Sequence, residues 1–510
     1  VTIPAGATEA AFALSPFNDP GVTGTRTAVI TASAGTFTSG SATIAVTDVT
    51  TSRLSVTSAP GWAQIGATMI LTVNAQNSDE ITITSQNGPI SAIWENAATG
   101  ATLGAAVQEN FSDGQAALSL PVPNTVEILR LRLTAAGLTI YTPDIRPYRL
   151  VTGKAVAIAV DPVRHNVLFT SGPAAAPGLA NTLITVDPES GTLTPSAFIG
   201  SDPRALAITD DGAFAYAGLW SGNQIVQFNL ATQSVVRTFS LTGNGFPWNS
   251  YNFFPDDIET VPGLPDSVLV AQQATGSTYT TTGLYRNGLF AADNNSPDLF
   301  SLARSRRTGV VYGFNNTDTG FDFGTLTATT NALTVQRSLS SPFNNFQIVI
   351  EADGDLVVGS NGVVADGQTL LSRGRLLLPP GVSTWAVAAD SAARRIYAAD
   401  HTEGLYIFDA ASLRQISRIA LPGGIGAISQ MKRWGSRGLV LRLASGSVLM
   451  LTHPDVAPTA PPADLAVNFE ATDGQLVQNT AREFSLTVTN LGPNPAVRSE
   501  EHTSELQSLT

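Results

Sequence analysis

The sequence predicts an all-β chain, and three observations predict it. Gly (45) and Pro (30) punctuate a sequence rich in Val, Thr and Ser, while only 13% of its 510 residues are charged. That balance suits pleated strands and tight turns better than helices. Short runs alternate apolar and polar residues with a period of two. A unit of roughly 40 to 45 residues also recurs through the middle of the chain, a period expected of a four-stranded repeat.

One copy of that unit is complete. From Asp202 to Gly243 four alternating runs follow one another, Ala205 to Thr209, Ala213 to Leu219, Gln224 to Leu230 and Val235 to Leu241. They are separated by Asp210-Asp211-Gly212, Ser221-Gly222-Asn223 and Ala231-Thr232-Gln233, residues that tolerate the backbone of hairpin turns. Four strands joined by three turns make a meander, the unit of a propeller blade. Asp187, Asn229 and Asp409 hold the same place after a third strand. The interval from Asn229 to Asp409 accommodates four steps of about 45 residues, so three degenerate copies lie between. They fall at Tyr251 to Phe290, Ser296 to Ser340 and Phe343 to Pro379, and a short last copy spans Gly424 to His453. The expected architecture is a seven-bladed β-propeller with flanking Ig-like β-sandwich modules. The last copy has only three strands before a proline run, so Arg146 to Val151 is expected to supply its fourth and remove the open edge.

Composition limits the partners. A formal net charge of -13 with lysine only at 154 and 432 leaves little to track a phosphate backbone, which excludes nucleic acid as an expected partner. Absence of cysteine removes thiol nucleophiles, disulfides and cysteine-ligated zinc. No apolar run approaches the ~18 to 20 residues of a membrane-spanning helix. The chain begins at Val1 inside a strand-like pattern and is read as a fragment.

Taken in order, residues 1–49 alternate at Ala10 to Leu14, Arg26 to Ala32 and Ser41 to Val46, as half-buried strands of a partial sandwich do. Residues 50–143 hold candidate strands at Leu54 to Val56, Met69 to Val73, Ile81 to Thr84, Ala116 to Leu120 and Ile128 to Leu133. Trp62 and Trp94 are read there as core residues rather than ligand platforms. Residues 144–455 carry the repeats, and 456–463 form a proline-rich linker that is semi-rigid because each Pro fixes φ. A truncated sandwich follows at 464–497, and 498–510 resembles a translated sequencing adaptor, RSEEHTSELQS, and is expected to be dispensable.

Three stretches carry a family resemblance. VTIPAGAT, FNDPGVTGTRTAVITA and SGSATIAVTD resemble Calx-β-like repeats of bacterial surface proteins. The calcium-binding members use acids where this chain keeps only Asp19 and Asp48, with Arg26 at a position where a carboxylate is expected. AIAVDPVRHNVLFT, ALAITDDGAFAYAG and VAADSAARRIYAAD resemble the YVTN or YncE-like bacterial propellers over about 300 residues. ADLAV and SLTVTNLGPNPA resemble another surface-protein repeat. Together these resemblances imply an extracellular or cell-surface bacterial protein, and they bring no catalytic residues with them.

Chemistry has few footholds. The histidines stand at 165, 401, 453 and 502, outside any HExxH pattern, and neither a GxSxG elbow nor a GxxxxGK[ST] loop occurs. Asn316, Asp318, Gly320 and Asp322 have a passing likeness to a calcium loop without its closing bidentate acid. Asp210-Asp211-Gly212 and Asp353-Gly354-Asp355 read as turns. No metal site, cofactor or catalytic residue is therefore expected. The one site suggested is the long connection from Gly243 to Glu259, where aromatics stand beside acids. Trp248, Tyr251, Asp256 and Asp257 are expected to line a mouth suited to a glycan or protein ligand. The function expected is a non-catalytic binding or structural module. The alternative is an extracellular enzyme acting on a polysaccharide or other polymer through acids at that mouth.

Overall fold

The computed structural model describes residues 1–14, 25–242, 252–275, 280–293, 299–316, 320–338, 341–379, 384–400, 404–456, 465–471 and 484–490. Among them every regular element is a strand, and the chain divides into two compact units, Val1–Leu150 and Val151–Thr510.

In the first unit a three-stranded sheet (Arg53–Val56, Thr68–Gln76, Gln115–Pro121) and a four-stranded sheet (Leu138–Tyr141, Leu129–Ala135, Pro89–Asn96, Thr102–Asn110) share one core. Period-two burial explains why. In Thr68–Gln76 the side chains of Met69, Leu71, Val73 and Ala75 point inward while their neighbours face out. Trp94 is buried and its Nε1 donates to the Pro121 carbonyl at 2.8 Å, the packing role expected of it. Trp62 meets Tyr148 edge-on at 6.4 Å. Buried Glu95 is clamped by Arg130 at 3.0 Å and Arg132 at 2.7 Å. Arg26–Ala32 and Gly40–Val46 pair as an antiparallel hairpin, whereas Ala10 to Leu14 forms no strand and Ile81 to Thr84 makes only the bridge from Thr82 to Gln76. Alternation there had no partner strand to satisfy it.

The second unit contains, among the described residues, seven antiparallel sheets of the meander kind and a separate hairpin, Leu465–Ala471 with Phe484–Asn490. The first strands of the seven sheets are Ala155–Val160, Pro203–Ile208, Phe253–Val261, Ser301–Ser305, Ile350–Asp353, Thr384–Asp390 and Ile428–Trp434. Each neighbours the first strand of the next sheet, and the seventh neighbours the first. The unit from Asp202 to Gly243 forms Pro203–Ile208, Phe214–Leu219, Gln224–Asn229 and Ser234–Ser240, within two residues of the expected bounds at each end.

Burial follows position in the sheet. Second and third strands are apolar on both faces, as in Val167–Ser171 and Gly404–Asp409, because each face meets an adjoining sheet. Cores accordingly join consecutive sheets. Leu168 and Leu183 pack with Ile208, Ala217 and Val226, and Phe314 and Phe323 pack with Phe343 and Val357. Ile158, Phe169 and Ile184 of the first sheet pack with Trp434, Val440 and Val448 of the seventh. Fourth strands alternate and stand at the rim, as in Ser234–Ser240. In the seventh sheet Ile428–Trp434, Gly438–Leu443 and Ser447–Thr452 pair in order, and Val151 packs on its core.

Asp and Asn side chains brace the turns of the meanders. Asp161 accepts from the amides of Val163 and Arg164, Asn229 from those of Ala231 and Thr232, and Asp409 from those of Ala411 and Ser412. These are Asx turns, in which the side chain imitates a backbone carbonyl.

Candidate functional site

The seven first strands of the second unit surround an open core. A cavity of about 300 Å³ is lined by residues of all seven, and a second of about 170 Å³ adjoins it. Ile158, Leu206, Glu259, Glu351 and Lys432 are common to both and mark the middle level. Beginnings of the first strands line the smaller cavity, through Arg204, Asp256 and Gln430. Their ends line the larger, through Arg306, Asp353 and Asp390.

At the middle level Lys432 Nζ lies 2.6 and 2.8 Å from the two Glu351 oxygens. Burial pulls the lysine's pKa down, yet Glu351, Glu259 and Asp257 together hold it above its ordinary value. Burial pushes the Glu351 carboxyl up against the opposing pull of Lys432. Glu259 faces the same cations and also takes a hydrogen bond from the Thr260 backbone amide. Its carboxyl is pushed up by burial, which outweighs Lys432, Arg306 and Arg304.

A consequence for pH follows. A carboxyl whose folded pKa is raised weakens the native state as pH climbs through the interval between its unfolded value, 4.5 for Glu259, and the raised one. Below that interval the penalty is absent. Glu259→Gln is therefore expected to raise the urea midpoint at about pH 8 more than at about pH 4. Equal shifts at both pH values would remove the assignment.

Asp256 and Asp257, both expected at the mouth, sit on Phe253–Val261 and line the smaller cavity. The two have different surroundings. Asp257 is a seam group, its Oδ1 accepting from the Ile258 amide at 2.9 Å and its Oδ2 from the Leu302 amide of the next sheet at 2.8 Å. Burial raises its pKa well above the ordinary range against the Leu302 bond. Asp256 keeps its side chain open to the cavity; enclosure by neighbouring strands raises its carboxyl and Arg204 opposes the rise. Trp248 and Tyr251 lie outside the described residues.

Beside Asp256 stands an aromatic group that sequence reasoning passed over. The Trp220 and Phe254 rings are 3.8 Å apart between centroids, and the Arg204 guanidinium lies 4.3 Å over Trp220. Arg204 is anchored in turn by Asp202 at 2.9 Å. The signal was faint, because Trp220 follows an ordinary apolar strand and nothing nearby in sequence names its partners.

At the other end of the first strands, guanidinium groups cross between sheets. Arg304 reaches Asp210 and Thr260, Arg306 reaches Asp210 at 3.1 Å, and Arg433 reaches Asp390 at 2.9 Å. Asp210 thus does more than hold its own turn, while Asp211 does hold it, accepting from Thr209 Oγ1 and the Ala213 amide. In the calcium-like stretch Asn316 donates to the Ile348 carbonyl and Asp322 faces Arg337 at 3.7 Å; Asp318 lies outside the described residues. His165 is a turn residue with φ of 60°, and His401 lies outside the described residues. Among the described residues no group of three or more His, Asp or Glu side chains is placed to hold a metal ion.

No protein-family model matches this chain, and no curated protein does. Among solved structures, a chain of Kuenenia stuttgartiensis hydrazine synthase aligns with a TM-score of 0.44 at 12% identity, covering 59% of this chain and 96% of that one.

Proposed function

We propose that the second unit is a seven-bladed β-propeller serving as a non-catalytic binding platform, within a bacterial protein that is secreted or held at the cell surface. The cyclic neighbourhood of seven first strands supports the blade number. Localisation rests on the resemblance to Calx-β-like and YVTN-like surface proteins, and the first unit is read as Ig-like on the same footing.

One observation supports binding over catalysis: two of the acids around the smaller cavity, Asp257 and Glu351, are already engaged. Both oxygens of Asp257 serve backbone amides, and both of Glu351 serve Lys432. Hydrolysis of a glycosidic bond needs two carboxyl groups free to exchange protons or attack, facing each other across the scissile bond. Engaged carboxylates instead make a fixed polar wall, which suits orientation of a bound glycan or peptide. Asp256, the exposed acid of its strand, is the group proposed to meet a ligand.

Glycan and peptide arrays probed with the full chain test this reading. Binding is expected, weakened about tenfold by Asp256→Asn, as loss of a charged hydrogen bond in an enclosed site costs. Equal binding by both proteins would remove Asp256 from the site. Cleaved polymer in the wild-type incubations, seen by mass spectrometry, would replace the platform with an enzyme.

A further inference from the structure

Arg204 and Asp256 stand near the beginnings of neighbouring strands, Pro203–Ile208 and Phe253–Val261, and line the smaller cavity together. They carry opposite charges and feel one another, since Arg204 opposes the rise of the Asp256 pKa, yet no ion pair joins them. Arg204 is held elsewhere. Asp202 Oδ2 accepts from its Nε at 3.0 Å and lies 2.9 Å from its Nη2, and the guanidinium lies 4.3 Å over the Trp220 ring. That support is itself fixed. The Asp202 amide donates to Asn181 Oδ1 at 3.0 Å, and the Asp202 carbonyl accepts from the Trp220 amide at 2.9 Å. A planar guanidinium fixed along one edge keeps its other nitrogen, Nη1, as a donor of set direction. Among the described residues Nη1 has no partner, and neither has the exposed Asp256 carboxylate.

Charge limits what this pair can take. Asp202 and Asp256 outnumber Arg204 at the mouth. Deeper in the cavity Asp257, Glu259 and Glu351 face Lys432, with Arg304 and Arg306 beyond it. No positive excess reaches Arg204, so an anionic group is not favoured there, whereas a neutral carbonyl can accept from Nη1 without repulsion. Asp256 in turn needs a donor. One ligand that brings both is an extended polypeptide, in which the N–H and C=O of a residue point to the same side of the strand. A pyranose ring would need an open aromatic face. Phe300 is the one aromatic residue lining the smaller cavity and is only 4% exposed, and the Trp220 ring is already engaged by Arg204 and Phe254.

We propose that Arg204 is the second polar anchor of the Asp256 site, and that the two take the main chain of an extended polypeptide, its carbonyl on Arg204 and its amide on Asp256. The inference rests on the platform reading above and narrows its ligand to polypeptide. Asp202 and Trp220 are positioning residues, which hold the guanidinium back from Asp256 and leave room for the peptide group between them.

The test uses the full chain and an uncharged octapeptide of alternating serine and alanine, acetylated and amidated, read by ligand-observed NMR. The same peptide N-methylated at each alanine, and cellohexaose, are the comparison probes. The unmethylated peptide is expected to bind in preference to both. Arg204→Lys, which keeps the charge and loses the fork, should weaken it about fivefold, and Asp202→Asn, which loosens the guanidinium, about threefold. If Arg204→Lys is unfolded by circular dichroism, Asp202→Asn alone carries the test. Wild-type affinity in these variants beside a loss in Asp256→Asn would overturn the role of Arg204 and leave the platform standing. Equal binding of the N-methylated peptide would overturn main-chain recognition, and preference for cellohexaose would make the ligand a glycan. Failure of the octapeptide to bind, with binding still seen on the arrays, would overturn this inference alone, whereas silence on the arrays as well would remove the platform with it.

Discussion

Replacing Lys432 by methionine is expected to lower the unfolding free energy by about 2 to 3 kcal/mol, toward the low end for a broken enclosed ion pair because the cavity admits water. Nζ stands within 2.8 Å of both Glu351 oxygens, and Glu259 and Asp257 add to the field that holds it charged. Methionine fills a similar volume, so little of the loss is packing. What remains is a group of carboxylates facing one another with their nearest cation gone. The expectation has an internal check. Glu351→Gln in the Lys432→Met background should recover part of the loss, since it removes the charge left unpaired. Urea unfolding of the four proteins of this cycle measures it, and a Lys432→Met change below about 0.5 kcal/mol, the level of an ordinary surface substitution, would refute the role.

The second large effect concerns Val151, which opens the second unit and packs on the core shared by its first and seventh sheets. Replacing Leu150, Val151 and Thr152 by Gly-Ser-Gly removes the Val151 contact with the core of Trp434, Val440 and Met450. Backbone pairing weakens with it. The combined cost is about 3 kcal/mol, from lost apolar burial and from glycine's conformational freedom. In a unit of this size that corresponds to a fall in Tm of about 4 °C. A fall of less than about 1 °C by calorimetry would show that Val151 adds nothing to that core.

Much of this architecture was legible because blades are local. The four runs between Asp202 and Gly243 turn on Asp, Asn and Gly at short intervals, and each strand pairs with its sequence neighbour. Period and turn chemistry suffice for such a unit. Reading was weaker in the first unit, where Pro89–Asn96 and Thr102–Asn110 were not anticipated and Ala10 to Leu14 was expected as a strand. Pairing there joins distant segments, Thr68–Gln76 with Gln115–Pro121 for example, so alternation alone does not say which runs find partners.

For the candidate site the division is sharper. Asp256 and Asp257 were visible as acids beside aromatics, but adjacency could not tell that one faces the cavity while the other ties two sheets through the Leu302 amide. Period two places neighbouring side chains on opposite faces, and only the packed neighbour decides what each face meets. Lys432 and Glu351 lie 81 residues apart, and nothing in the sequence joined them. By itself the sequence determined the strand content, the repeating meander and its turns, because these depend on residues a few positions apart. Tertiary structure decided which charges meet: seven first strands converge on one space, and long-range apposition there makes an ion pair of Lys432 and Glu351 and a seam of Asp257.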